Sequence, residues 1–125
     1  MKIAFATEDG KRVDSHFGRC SCFSIFDINA EDYRWLEARE IAEVSSGVES
    51  EKIDKRVDAV KDCVLLFLCQ IGPTAAAKVT RAGVMPLKVE EGADIVGQLE
   101  RLQNMLKTKP PLWLVKAMRK TEEEA

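Results

Sequence analysis

Val64-Leu65-Leu66-Phe67-Leu68 is the most apolar stretch of the chain, and Cys69-Gln70-Ile71-Gly72-Pro73 follows it at once. A short continuous apolar run closed by turn-forming residues suits a strand covered on both faces. Such a strand belongs at the centre of a sheet, with helices packed above and below it. Toward the C-terminus, Gly72-Pro73-Thr74 opens a helix with proline in its first turn, and Gly83 lies just past its end. That is the expected asymmetry of proline at the start and glycine at the stop. Residues 84–89 read as the next strand, and Pro86 places it at an edge, where a missing N–H costs no ladder bond. A third helix carries Ile95, Leu99, Leu102 and Leu106 on one stripe, flanked by Val96 and Met105. Lys109-Pro110-Pro111 breaks it, leaving a short apolar segment at Leu112-Trp113-Leu114-Val115 and an acidic tail at Glu122-Glu123-Glu124.

Working back from the central run, Ile53, Val57 and Val60 keep a helical rhythm from about Ser50, and residues 44–50 read as a mobile surface loop. Before that loop, residues 22–28 and a strand opened by Tyr33-Arg34-Trp35-Leu36 form a hairpin about Asn29-Ala30-Glu31-Asp32. Ile3-Ala4-Phe5-Ala6 is a further buried strand, ended by Glu8-Asp9-Gly10-Lys11. Strand-strand-strand-helix-strand-helix-strand-helix predicts a single α/β domain: a mixed five-stranded sheet flanked by helices. The domain spans residues 1–106, and residues 107–125 form a C-terminal extension.

Composition narrows the function. The 125 residues are 46% hydrophobic and 32% charged, with a net charge of −2, as in an ordinary folded domain. That charge offers no general attraction to nucleic acid, and no apolar run reaches the ~20 residues needed to span a bilayer. Thr7-Glu8-Asp9 follows the first apolar run too soon for a signal peptide, so a cytoplasmic address is expected, with the four cysteines reduced.

Ligands of open α/β sheets sit beyond the carboxyl ends of the parallel strands. The first strand ends at Thr7 and the central one at Cys69, and an antiparallel second strand begins at the same rim. Asp14-Ser15-His16-Phe17-Gly18-Arg19-Cys20-Ser21-Cys22 should therefore lie near Cys69-Gln70-Ile71-Gly72. Four possible metal ligands then share one rim: His16, Cys20, Cys22 and Cys69. Cys63 lies ~20 Å away along an extended strand and is structural. Cys20-x-Cys22 and Cys63-x5-Cys69 match neither a zinc ribbon nor a ferredoxin run. A cofactor gripped by one or two protein ligands fits better than a permanent four-thiolate cluster. Each cysteine also reads as core filler, and His16 and Arg19 as ordinary surface residues. The Gly72-Pro73-Thr74 helix start offers amide donors to an anion but lacks the phosphate-loop pattern.

Ile3-Ala4-Phe5-Ala6-Thr7, Asp14-Ser15-His16-Phe17-Gly18, the run from Gln70 to Val79 and the run from Arg81 to Lys88 together resemble the dinitrogenase iron-molybdenum cofactor biosynthesis family. The resemblance covers about residues 1–106, and Leu99 to Met118 resembles one nitrogen-fixation branch of that family. It implies a ribonuclease-H-like fold and a carrier that is not an enzyme. Its cargo would be an iron–sulfur precursor of the iron-molybdenum cofactor, the NifB cofactor or a related cluster. The partners it implies are the cluster-making enzyme and the scaffold that completes the cofactor. By position, His16 is the expected ligand, with Phe17, Gly18 and Arg19 beside it, while the helix-start amides at Gly72 and Thr74 would help to balance the charge of the cluster. Two other functions are open: a regulatory or interaction module that binds no cluster, and a ribonuclease-H-like nuclease. The nuclease would need clustered carboxylates that Ile3 to Ala6 cannot supply.

Overall fold

The computed structural model describes residues 1–42 and 48–124, the last four in backbone only. Most of the expected surface loop at 44–50 therefore lies outside the described residues.

The sheet is built from β1 (Lys2–Ala6), β3 (Cys22–Ile28), β4 (Tyr33–Glu40), β5 (Leu65–Leu68) and β6 (Met85–Lys88). Their spatial order is β4-β3-β1-β5-β6. β1 runs parallel to β5 and β5 parallel to β6, while β3 runs antiparallel to both β1 and β4. One strand is thus reversed in a mixed five-stranded sheet, as expected. Pro86 sits on β6 at the edge, opposite Leu66. β4 forms the other edge, and Arg34, Glu37 and Glu40 are exposed along it.

Alternation along the strands sends apolar side chains to both faces, which explains why β5 and all of β1 after the exposed Lys2 are apolar. On one face Ala4, Ala6, Phe23, Ile25, Leu66 and Leu68 pack with α1 (Glu49–Val60) and α2 (Pro73–Arg81) through Ile53, Val60, Ala75 and Val79. On the other, Ile3, Phe5, Leu65 and Phe67 meet Ile95, Leu99 and Leu102 of α3 (Ile95–Lys107). Phe5 and Phe67 stack there with ring centres 4.7 Å apart. Asp94 caps α3 by accepting from the Gly97 N–H at 3.2 Å.

The segment after Pro111, expected only as a short apolar stretch and a tail, forms a helix, α4 (Leu112–Glu124). Leu114 is completely buried in the same core as α3. The Lys120 ammonium donates to the carbonyls of Lys61, Cys63 and Ala82 at 2.7, 2.9 and 3.3 Å. It thereby satisfies acceptors where α1 and α2 end.

One pairing lies outside the main sheet. β2 (Arg12–Val13) runs antiparallel to β7 (Ala93–Asp94). Gly92, at φ +88°, donates to the Val13 carbonyl at 2.8 Å, and Ile95 donates to Lys11 at 2.9 Å. This small ribbon ties the loop after β1 to the loop after β6.

Candidate functional site

The loop after β1 is built by its own polar side chains. Asp9 Oδ1 accepts from the N–H groups of Lys11 and Arg12 at 2.8 and 2.9 Å, and those donors hold its carboxyl below the usual range. Gly10 supplies the positive φ of +76° that the turn requires, and its N–H reaches Thr7 Oγ1 at 3.0 Å. Asp14 Oδ1 accepts from the Glu8 N–H and the Ser15 hydroxyl, each at 3.0 Å. The two acids at 8 and 9 are therefore turn residues, with Asp9 committed to backbone donors.

From Ser15 the chain runs alongside the end of β5. Cys69 N–H donates to the Ser15 carbonyl at 3.3 Å, Phe17 N–H donates to the Gln70 carbonyl at 2.9 Å, and His16 and Gln70 form a parallel β-bridge. Phe17 is fully buried and anchors the turn of residues 17–19 against Phe23, with ring centres 5.9 Å apart. The half-buried His16 is thus fixed between a core aromatic and a backbone ladder. Its ring, the Cys69 sulfur and a carboxylate oxygen of Glu91 offer ligand atoms all within 4.8 Å of one another. Burial first, then the charges of Glu91 and Asp14, push the Cys69 thiol up. A raised thiol keeps its proton near neutrality.

The other two cysteines go elsewhere. Cys20 is buried in the core beneath α1, and its thiol donates to the Cys22 carbonyl at 2.8 Å. Burial pushes it up to about 11. Cys22 is half-buried at the start of β3, beside the exposed Trp35 and the turn at Asp9 in a cleft of about 330 Å³. Its thiol is raised by burial and then by the Glu40 charge. Of the four expected metal ligands, only His16 and Cys69 enter one ligand group among the described residues. Cys63 lies buried at the far end of β5, where burial drives its thiol up to about 12.

Gly18 and Arg19 line a cleft of about 390 Å³ with Ser21, Ile41, Lys52 and Arg56. Arg19 is exposed there, whereas Arg56 is pinned by donating Nε to the Cys20 carbonyl at 2.9 Å and Nη1 to the Lys52 carbonyl at 3.0 Å. Three cations thus stand beside the His16 turn, with the Glu49 carboxylate near Gly18. Gly72 is the extended N-cap of α2, and no side chain caps the amides that follow it toward the exposed Thr74.

The sequence reading did not include Glu91, Lys52 or Arg56. Glu91 reaches the rim because the β2–β7 ribbon carries its loop there, and the clue was Gly92 just after it. Lys52 and Arg56, four apart on α1, share one helix side, a spacing that was legible.

A family model described as Dinitrogenase iron-molybdenum cofactor matches residues 1–105. The chain is 36% identical over 121 residues to Protein NifX of Azotobacter vinelandii, covering 97% of this chain and 77% of that one. It is 36% identical over 118 residues to Protein NifY of the same organism, covering 94% of this chain but 48% of that longer protein. The crystal structure of PH0822 superposes with a TM-score of 0.65 at 24% identity, over 83% of this chain and 89% of that one, and supports the fold. With both sequence and architecture in agreement, this chain belongs to the dinitrogenase iron-molybdenum cofactor family.

Proposed function

We propose that the chain carries an iron–sulfur precursor of the iron-molybdenum cofactor, such as the NifB cofactor, during nitrogenase cofactor assembly. The observation that carries this reading is the pairing of residues 15–17 with the end of β5, which sets the His16 imidazole beside the Cys69 thiol. Imidazole and thiolate are both good ligands for cluster iron. Two ligands hold a cluster while leaving most of its irons open to the next protein. The cleft with Arg19, Lys52 and Arg56 gives an anionic cluster a cationic neighbour, and the uncapped start of α2 at Gly72 and Thr74 adds amide donors.

The role is carriage and not catalysis. The partners in this reading are the enzyme that makes the cluster and the scaffold that receives it, in the cytoplasm. Leu112, 67% exposed after Pro110-Pro111, is a contact point for such a partner, while Trp113 packs into the chain's own core. The ribonuclease-H-like assignment belongs to the same reading, and the order β4-β3-β1-β5-β6 with β3 reversed supports it.

The test is anaerobic incubation with purified precursor, followed by gel filtration. Co-eluting iron and the visible spectrum are compared for the parent, His16→Ala, Cys69→Ser and Cys20→Ser. The first two variants should lose most of the iron and Cys20→Ser should keep it. Equal iron in the parent and His16→Ala would remove His16 from the site.

A further inference from the structure

We infer that His16, Cys69 and Glu91 together form a chelating site for a single divalent first-row transition-metal ion, bound without any cluster. The site would use one imidazole nitrogen, one thiolate sulfur and one carboxylate oxygen, and these atoms already lie within 4.8 Å of one another. A tetrahedral ion with bonds of ~2.0–2.3 Å needs its donors ~3.4–3.6 Å apart. The contraction that remains is therefore at most ~1.2–1.4 Å, within the reach of side-chain rotation at the three residues, of which Glu91 is exposed. Backbone pairing holds the main chain of His16 and Cys69 together, so only their side chains need to turn.

The donor set selects the ion. A mixed nitrogen, sulfur and oxygen set suits Zn²⁺, Fe²⁺ or Co²⁺ and is wrong for Mg²⁺ or Ca²⁺, which take oxygen. Thiolate and carboxylate supply two negative charges and imidazole none, so the chelate of a dication is neutral. Three protein donors leave a fourth position open to water or an incoming ligand. The three come from separate segments that the fold locks together. The Gly92 N–H on the Val13 carbonyl holds the loop of Glu91, as the bridge to Gln70 holds His16.

This goes beyond carriage of a cluster, although it uses the same rim. A bare ion would occupy His16 and Cys69, so ion and cargo exclude one another. Cobalt(II) is the probe, titrated anaerobically into the full reduced chain. The expected result is one ion per chain, an intense near-ultraviolet thiolate-to-cobalt band, and bleaching of that band by Zn²⁺. Cys69→Ser should abolish the sulfur band. Glu91→Gln changes an exposed side chain and leaves the fold intact; it should keep the band but weaken Co²⁺ binding at least about tenfold, as losing even an indirect metal contact does. Cys22→Ser should change neither. A sulfur band that survives in Cys69→Ser, or Co²⁺ binding by Glu91→Gln equal to the parent, overturns the site. Iron co-elution with the precursor is scored separately, so loss of cargo binding with intact Co²⁺ binding overturns carriage and leaves the ion site standing.

Discussion

Replacing Leu114 by alanine tests whether α4 is an integral part of the fold. Leu114 is completely buried and packs in the cluster of Ile3, Phe5, Leu65 and Leu99. Three carbons leave a site with no access to water, worth ~2.4 kcal/mol at ~0.8 kcal/mol each. The cavity left behind adds to this at ~24 cal/mol per Å³, which puts Leu→Ala changes at ~2.7–5.0 kcal/mol. α4 lies at the end of the chain and can settle inward, so the low part of that range applies, ~3 kcal/mol. With a urea slope of ~1.5 kcal/mol/M, the midpoint of unfolding should fall by ~2 M with the slope unchanged. Leu112→Ala is the control: Leu112 is 67% exposed on the same turn, and its loss should shift stability by no more than ~0.5 kcal/mol. A midpoint shift below ~0.7 M for Leu114→Ala would refute the reasoning, because α4 would then stand outside the cooperative unit.

Gly92→Ala meets no atom within 4 Å of the new Cβ, so its cost is the left-handed backbone alone, ~1–2 kcal/mol, readable in thermal unfolding. Arg39 and Lys2 hold the Asp62 carboxyl far below its ordinary range, Arg39 through bonds of 2.6 and 2.9 Å. A lowered folded-state value means stability that is present above the unfolded value near 3.8 and lost as pH falls below it. Asp62→Asn should flatten that acid limb in a pH series of urea midpoints; the pair is partly exposed, so the effect at pH 7 is ~1 kcal/mol. Native-state thiol labelling at pH 8 should modify Cys22 first, since Cys20, Cys63 and Cys69 are buried. Mass spectrometry of the labelled peptides reads this directly, and early labelling of Cys20 would contradict its placement in the core.

The strands and α3 were legible because burial leaves a one-dimensional trace. Val64 to Leu68 is apolar without a break, and Ile95, Leu99 and Leu102 repeat at helical spacing. The meeting of His16 with Cys69 followed from strand direction alone, since a parallel pair ends at one rim. Glu91 was not legible by that route. Its approach depends on β2 and β7, two residues each, which are too short to carry any periodicity. Cys20 was weighed as filler or ligand on spacing, but the buried Phe17 turns the chain so that the thiol faces the core. α4 was hidden because Pro110-Pro111 advertises a stop and says nothing of what starts afterwards.

The charged outer margin of β4 has a bearing on how these molecules behave in a crowd. Eight residues of edge strand would otherwise offer open backbone donors and acceptors to a second sheet. Arg34, Glu37 and Glu40 would have to shed water and face a neighbour's charges before two margins could join. Neutralising all three should promote association by sheet growth, read as light scattering that rises with concentration.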